Sequence, residues 1–132
     1  MTVEDEMENQ GERILIIDDD PNGARLLSTL LTMEGYQPFE PEDWSNPLQD
    51  VAKLCPSTVI VDVHLRSKSG FDLLGQIRAH PDPAVANTAV IMMSAEDYRK
   101  QSKQAGANGF IAKPFDIPAL LAMIRTMEEN SL

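Results

Sequence analysis

Asp62 stands in the middle of "VIVDVHL", Val59 to Leu65, at the end of a run of branched apolar residues that ask for burial. A carboxylate mounted there is a candidate nucleophile, because Asp can accept a phosphoryl group to form an aspartyl-phosphate. Other polar groups close apolar runs in the same manner. Asp18 and Asp19 follow "RILII", Ser94 ends "VIMMS" and Lys113 follows "NGFIA". If three carboxylates share one crevice they repel: two unit charges about 4 Å apart cost roughly 1 kcal/mol in water and about 4 near a protein surface. A hard divalent cation relieves that repulsion, and Mg2+ suits the donors because it keeps several waters and uses one or two carboxylates plus a phosphate. Softer metals lack ligands, since His64 and His80 are the only histidines and Cys55 is the only thiol. Lys113 can then meet a phosphoryl oxygen as a point charge, and Ser94 can donate a hydroxyl hydrogen bond to another.

The five groups meet only if the elements carrying them run in parallel. "RILII" (Arg13 to Ile17) and "STVIVD" (Ser57 to Asp62) are nearly unbroken apolar runs, as expected of strands covered on both faces. "YQPFE" (Tyr36 to Glu40) reads as a weak edge strand because of Pro38. "TAVIMMSA" (Thr88 to Ala95) and "NGFIA" complete five strands. Between them lie helical patterns. Asp20 and Pro21 start the first, which carries Leu26, Leu27, Leu30 and Leu31 and closes at Gly35. The second covers about Glu42 to Leu54, with Pro47 leaving its start open. The third runs from Phe71 to Ala79, with Phe71, Leu74 and Ile77 on one face; the fourth runs from Glu96 to Ala105. The last follows Asp116 and carries Ile117, Leu120, Leu121, Ile124 and Met127. "HPDPAVAN" (His80 to Asn87) is expected to be a loop, with His80 an exposed turn residue. Strands alternating with helices make a parallel α/β sheet covered on both faces, and in such sheets ligands bind beyond the carboxyl ends of the strands. That is where Asp18, Asp19, Asp62, Ser94 and Lys113 fall.

Four segments in order, "ILIIDDDP", "VIVDVHLRSKSGFDLL" with Gly70 eight residues after Asp62, "VIMMSA" and "GANGFIAKPF", resemble the receiver domain of two-component response regulators. The likeness covers Arg13 to about Met127. It implies a flavodoxin-like (βα)5 doubly wound sandwich with a five-stranded parallel sheet of order 2-1-3-4-5. It also implies a signalling switch phosphorylated on Asp62 by a histidine kinase or phosphotransfer protein, with Mg2+ as cofactor. By the same carry-over, Asp18 and Asp19 match the acidic pair, Asp19 as the more direct Mg2+ ligand, and the backbone carbonyl of His64 completes the protein ligands. Ser94 and Lys113 match the groups that engage the phosphoryl oxygens, and Phe110 matches the aromatic that turns inward when Ser94 moves. The surface of the fourth helix, fifth strand and fifth helix then changes, for a downstream protein target or a second copy of the chain to read. Such a protein is a phospho-acceptor taking part in its own phosphoryl transfer and autodephosphorylation, not an enzyme acting on a separate substrate.

Three details depart from the usual pattern. Arg66 stands where proline is common, which leaves the loop mobile or gives it an ion pair. Phe110 replaces a frequent tyrosine and favours the inward rotamer. His64 and Glu96 flank the path of an attacking water and are expected to tune the lifetime of the phosphorylated state.

Length allows one domain: residues 1–12 as an acidic disordered tail and 13–132 as the receiver domain. The net charge of −10 gives no cationic excess to displace phosphate counterions, so direct nucleic-acid or anionic-membrane binding is not expected. No apolar run approaches the roughly 20 residues that span a bilayer, and the acidic start is unlike a secretory signal, so a cytoplasmic location is expected. Cys55 is read as a small buried hydrophobe, Asp20 as a helix cap, and Met92 and Met93 as strand packing. Two other functions fit parts of this pattern. A phosphorylation-independent adaptor would have no need of the five rim groups. A small aspartyl-phosphate phosphatase needs a second acid two residues after its nucleophile, where this chain has His64. A flavin-binding protein of similar topology fits less well, since the first loop is acidic where a cofactor phosphate would need donors.

Overall fold

A computed structural model of the chain describes residues 11–130. The acidic tail therefore lies outside the described residues except for Gly11 and Glu12; the Glu12 carbonyl accepts a hydrogen bond from the Gln37 N–H. Five strands, β1 (Arg13–Ile17), β2 (Gln37–Phe39), β3 (Thr58–Asp62), β4 (Ala89–Ser94) and β5 (Gly109–Ala112), form one sheet of order β2-β1-β3-β4-β5. Every pairing is parallel. Five helices connect and follow them: α1 (Pro21–Met33), α2 (Pro47–Leu54), α3 (Gly70–Arg78), α4 (Arg99–Gln104) and α5 (Ile117–Asn130). This is the 2-1-3-4-5 order expected for the flavodoxin-like fold.

The strands lack a polar face because both of their faces are buried. Ile14, Ile16, Ile60, Ile91, Met93 and Ile111 point to one side, against Ala24, Leu27 and Leu31 of α1 and Leu120, Leu121, Ile124 and Met127 of α5. Their alternates Leu15, Ile17, Val59, Val61, Val90 and Met92 point to the other, against Val51 of α2 and Leu73, Leu74 and Ile77 of α3. Period-two side-chain direction thus divides one apolar run between two cores. Among the described residues no helix is long and apolar enough to cross a membrane.

Several local expectations are corrected. The second helix starts at Pro47 and not near Glu42; Pro47 takes the first helical position, where its missing N–H costs nothing. The fourth helix begins at Arg99, after a bend at Ala95 and Glu96 and two irregular residues. The loop at His80–Asn87 contains a helical turn, Pro83–Ala86, whose Asp82 side chain caps the Ala84 N–H. Its prolines permit the turn because Pro83 opens it. His80 is half-buried, and its Nδ1 accepts from the Asp82 N–H at 3.0 Å. Cys55 is exposed, not buried. It caps α2 in the left-handed region (φ 48°), which turns its thiol outward toward the Ala52 carbonyl. Leu26 is 59% exposed, because the buried stripe of α1 runs through Ala24, Leu27 and Leu31. On α3, Leu73 joins Leu74 and Ile77 in the core while Phe71 is only half-buried.

Candidate functional site

Parallel pairing sets the last residues of β1, β3, β4 and β5 side by side. Ile17 pairs with Val61, Asp62 with Met93, and Ser94 with Ala112. Each chain leaves the sheet there, so Asp18, Asp62, Ser94 and Lys113 emerge on one rim. Asp20 accepts from the Asn22 N–H and caps α1, as expected of the third acid in the row.

The structure brings Asp18, Asp62 and Lys113 into direct contact. Lys113 Nζ lies 2.5 Å from Asp62 Oδ2 and 3.3 Å from Asp18 Oδ2. Both carboxylates are nearly enclosed, at 7% and 4% exposure, so water does little to screen them. Burial alone would lower the Lys113 pKa, but the hydrogen bond to Asp62 and the charges of Asp18 and Asp62 outweigh it and hold the ammonium above its ordinary range. The second oxygens are held by backbone: Asp62 Oδ1 accepts from the His64 N–H at 2.8 Å, and Asp18 Oδ1 from the Asp20 N–H at 3.0 Å. The Lys113–Pro114 peptide is cis.

Asp19 sits at the edge of this group and turns toward the following loop. Its Oδ2 accepts from the Arg66 N–H at 2.6 Å, with Arg66 Nε 3.9 Å away. Of the two expectations for Arg66, the ion pair is the one present. Ser94 is buried, but its Oγ accepts from the Glu96 N–H at 3.1 Å, which ties it to its own loop. Phe110 is half-buried, with the Arg99 guanidinium 5.8 Å above its ring. His64 and Glu96 meet each other on the outer side of the rim, Nε2 to Oε1 at 3.3 Å.

Gly70 shows how closely the scaffold approaches the site. A Cβ there would lie 2.2 Å from the Asp62 carbonyl oxygen and 3.0 Å from its carbon. The Gly70 N–H also donates to the Val63 carbonyl at 2.7 Å, and Ser69 caps α3 by accepting from Phe71. The amino end of α3 thus packs directly on the backbone that carries Asp62.

A hard cation suits this donor set. Two carboxylates meet one ammonium with a third, Asp19, at the edge, every side-chain ligand is oxygen, and Asp18 and Asp62 are too enclosed for solvent to neutralise them. Among the described residues no three His, Cys, Asp or Glu side chains converge into a ready cage. Mg2+ does not require one, since it retains waters and binds through one or two carboxylates. A cleft of about 350 Å3 opens on this side, lined by Asp18, Asp19, Glu40, Trp44, Arg66 and Ser67. A wider groove of about 660 Å3, with Ser57, Thr88 and Asn108 on its walls, lies at the amino ends of the strands and away from the acids.

The sequence reading missed Tyr98. Its hydroxyl lies 3.3 Å from both His64 Nε2 and Glu96 Oε2. Burial first, then the charge of Glu96, pushes its pKa above the ordinary tyrosine value. A lone tyrosine before a polar helix carries no periodic signal, and only the return of the β3 loop reveals its partners.

Residues 14–125 match the family model described as the response regulator receiver domain. The transcriptional regulatory protein KdpE of Mycobacterium tuberculosis is 34% identical over 115 residues, which are 85% of this chain and 49% of that protein. The chain spans about half the length of that curated relative. The receiver domain of the Francisella response regulator 1452 superposes with a TM-score of 0.81 at 22% identity, covering 92% of this chain and all (100%) of that one. The Vibrio cholerae chemotaxis protein CheY4, crystallised at low pH, gives 0.78 at 23% identity, over 89% and 98% of the two chains. At those identities the structural matches speak for the fold alone.

Proposed function

The chain belongs to the response regulator receiver domain family, and from that premise we propose that it is a phosphorylation-dependent switch with Asp62 as its phospho-acceptor. One observation carries the reading: Lys113 bridges the enclosed carboxylates of Asp62 and Asp18 at the carboxyl end of the sheet. An acceptor oxygen, a neighbouring acid and a cation able to change partners are all within reach of one incoming phosphate.

The donor is a phosphohistidine on a histidine kinase or phosphotransfer protein. An Asp62 oxygen attacks phosphorus in line, the P–N bond breaks as the O–P bond forms, and the imidazole leaves. Asp18, Asp19, Asp62 and the His64 carbonyl are the groups that would hold Mg2+. When bound, the ion neutralises these acids and the phosphoryl oxygens that gather charge. Lys113 exchanges its bond with Asp62 for one with a phosphoryl oxygen. The new group brings a charge of about −1.5 to −2 and strong acceptor oxygens, which draw Ser94 away from the Glu96 N–H and toward Asp62. The space Ser94 leaves lets Phe110 turn inward and displace Arg99, so that the surface of α4, β5 and α5 changes for a downstream protein or a second copy of the chain. The protein acts as a stoichiometric acceptor with self-limited lifetime. It works in the cytoplasm, and it needs no direct contact with nucleic acid or membrane.

Incubation with Mg2+ and acetyl phosphate should add the mass of one phosphoryl group to the intact protein, and Asp62→Asn should remain unmodified. A parent protein that gains no mass, or an Asp62→Asn variant that gains it equally, overturns the reading.

A further inference from the structure

His64, two residues beyond Asp62, and Glu96, two beyond Ser94, come from different loops and meet at 3.3 Å. Neither is held by packing, since their side chains are 59% and 69% exposed. Tyr98 is differently placed. Its ring stands edge-on to Phe71 with centroids 5.7 Å apart, and to His64 at 5.6 Å, and it packs against the core cluster that includes Leu73, Leu74 and Ile77 of α3. Its hydroxyl reaches both partners at 3.3 Å. Of the three, Tyr98 is the fixed post, and the other two are held by it.

The loops so joined are the ones that leave β3 and β4. The backbone N–H of His64 donates to Asp62 Oδ1, and the backbone N–H of Glu96 donates to Ser94 Oγ. The three side chains therefore form a bar that joins the loop after Asp62 to the loop after Ser94.

We propose that Tyr98 is a positioning residue that fixes His64 and Glu96 in this bar and thereby restricts the access of water to a phosphoryl group on Asp62. The inference rests on the reading of Asp62 as phospho-acceptor. In the step that is slowed, a water oxygen bonds to phosphorus as the bond from phosphorus to the Asp62 oxygen breaks. The phosphate keeps one of the water's protons, the other passes to solvent, and the Asp62 carboxylate is restored. Separating the bar admits water more freely, because two exposed side chains without their anchor sample many rotamers.

Tyr98→Phe tests this, since it keeps the ring and its contact with Phe71 and removes only the hydroxyl. After loading with acetyl phosphate and Mg2+ and removal of the donor, intact mass follows the loss of the phosphoryl group. Decay should be faster than in the parent by roughly fivefold, the rate equivalent of one ordinary hydrogen bond. The thermal midpoint should not move, and the His64 ring resonances should shift even without phosphorylation. In a His64→Ala background, where only the Glu96 contact is left to lose, the added effect of Tyr98→Phe should shrink, an outcome that a merely structural tyrosine would not give. Equal decay in Tyr98→Phe and the parent, unmoved His64 resonances, or additive effects of the two substitutions overturn the inference and leave phosphorylation of Asp62 standing. A parent that never gains a phosphoryl group overturns both.

Discussion

The two ends of the sheet treat buried charge in opposite ways. At the amino end, Arg78 is surrounded by neutral acceptors: its Nε donates to the Gly106 carbonyl at 2.9 Å, Nη1 to those of Ala86 and Thr88 at 2.8 and 2.7 Å, and Nη2 to Asn108 Oδ1 at 2.9 Å. Burial lowers its pKa, yet four of its five N–H donors have an acceptor. At the carboxyl end, Asp18, Asp19 and Asp62 outnumber Lys113 and Arg66, and Asp18 and Asp62 compete for the same ammonium. Fixed dipoles engage four of the five N–H donors of the first charge. The second arrangement keeps an excess of negative oxygen that only an added cation can balance. One end is scaffold and the other is chemistry, and α3 spans the distance between them, from Gly70 under Asp62 to Arg78.

The sharpest way to break this comparison is to remove the matched cation. Arg78→Leu strands four acceptors in a partly buried place, and urea unfolding should show a loss of about 3 kcal/mol or more. The folded fraction should still be phosphorylated at the parental rate; a slower rate would mean that the amino end is more than support. Gly70→Ala comes next, because its Cβ meets the Asp62 carbonyl and the backbone must yield. A cost of about 2 kcal/mol is expected. Here phosphorylation should also slow, which distinguishes a scaffold contact beneath the site from one remote from it. The smallest effect belongs to the rim. In the absence of divalent ions Asp18→Asn should change stability by less than about 1 kcal/mol, since it relieves repulsion while removing one partner of Lys113. The parent should gain about 1–2 kcal/mol from saturating Mg2+ by mass action, and the variant should gain little. An equal Mg2+ gain in both would show that the excess acid at the rim is not what binds the ion.

The same contrast explains what could be read from the sequence. The rim was legible because each of its groups follows an apolar strand, so that a one-dimensional pattern of apolar run and polar stop encodes a shared edge. The strand order followed from likeness to a known family and not from any residue pattern, since parallel strands buried on both faces carry no mark of their neighbours. Arg78 was illegible for another reason. Three of its four bonds go to backbone carbonyls, which every residue possesses, and its partners lie 8, 10, 28 and 30 residues away. Cys55 was misjudged because its burial depends on a left-handed cap that its side chain does not announce. Tyr98 was missed because one of its partners, His64, belongs to a loop 34 residues earlier. Even the placement of Asp19 turned on a backbone N–H, that of Arg66, which no side-chain pattern displays.

Trp44 is the chain's only tryptophan, 38% exposed, and it shares a cleft wall with Asp18, Asp19 and Arg66. Indole emission responds to nearby charge and to solvent, so the protein carries an intrinsic fluorophore at the acidic edge and needs no attached dye. On the proposed reading, ion uptake and phosphoryl arrival should change that emission and so be followed in the native chain by light, in real time.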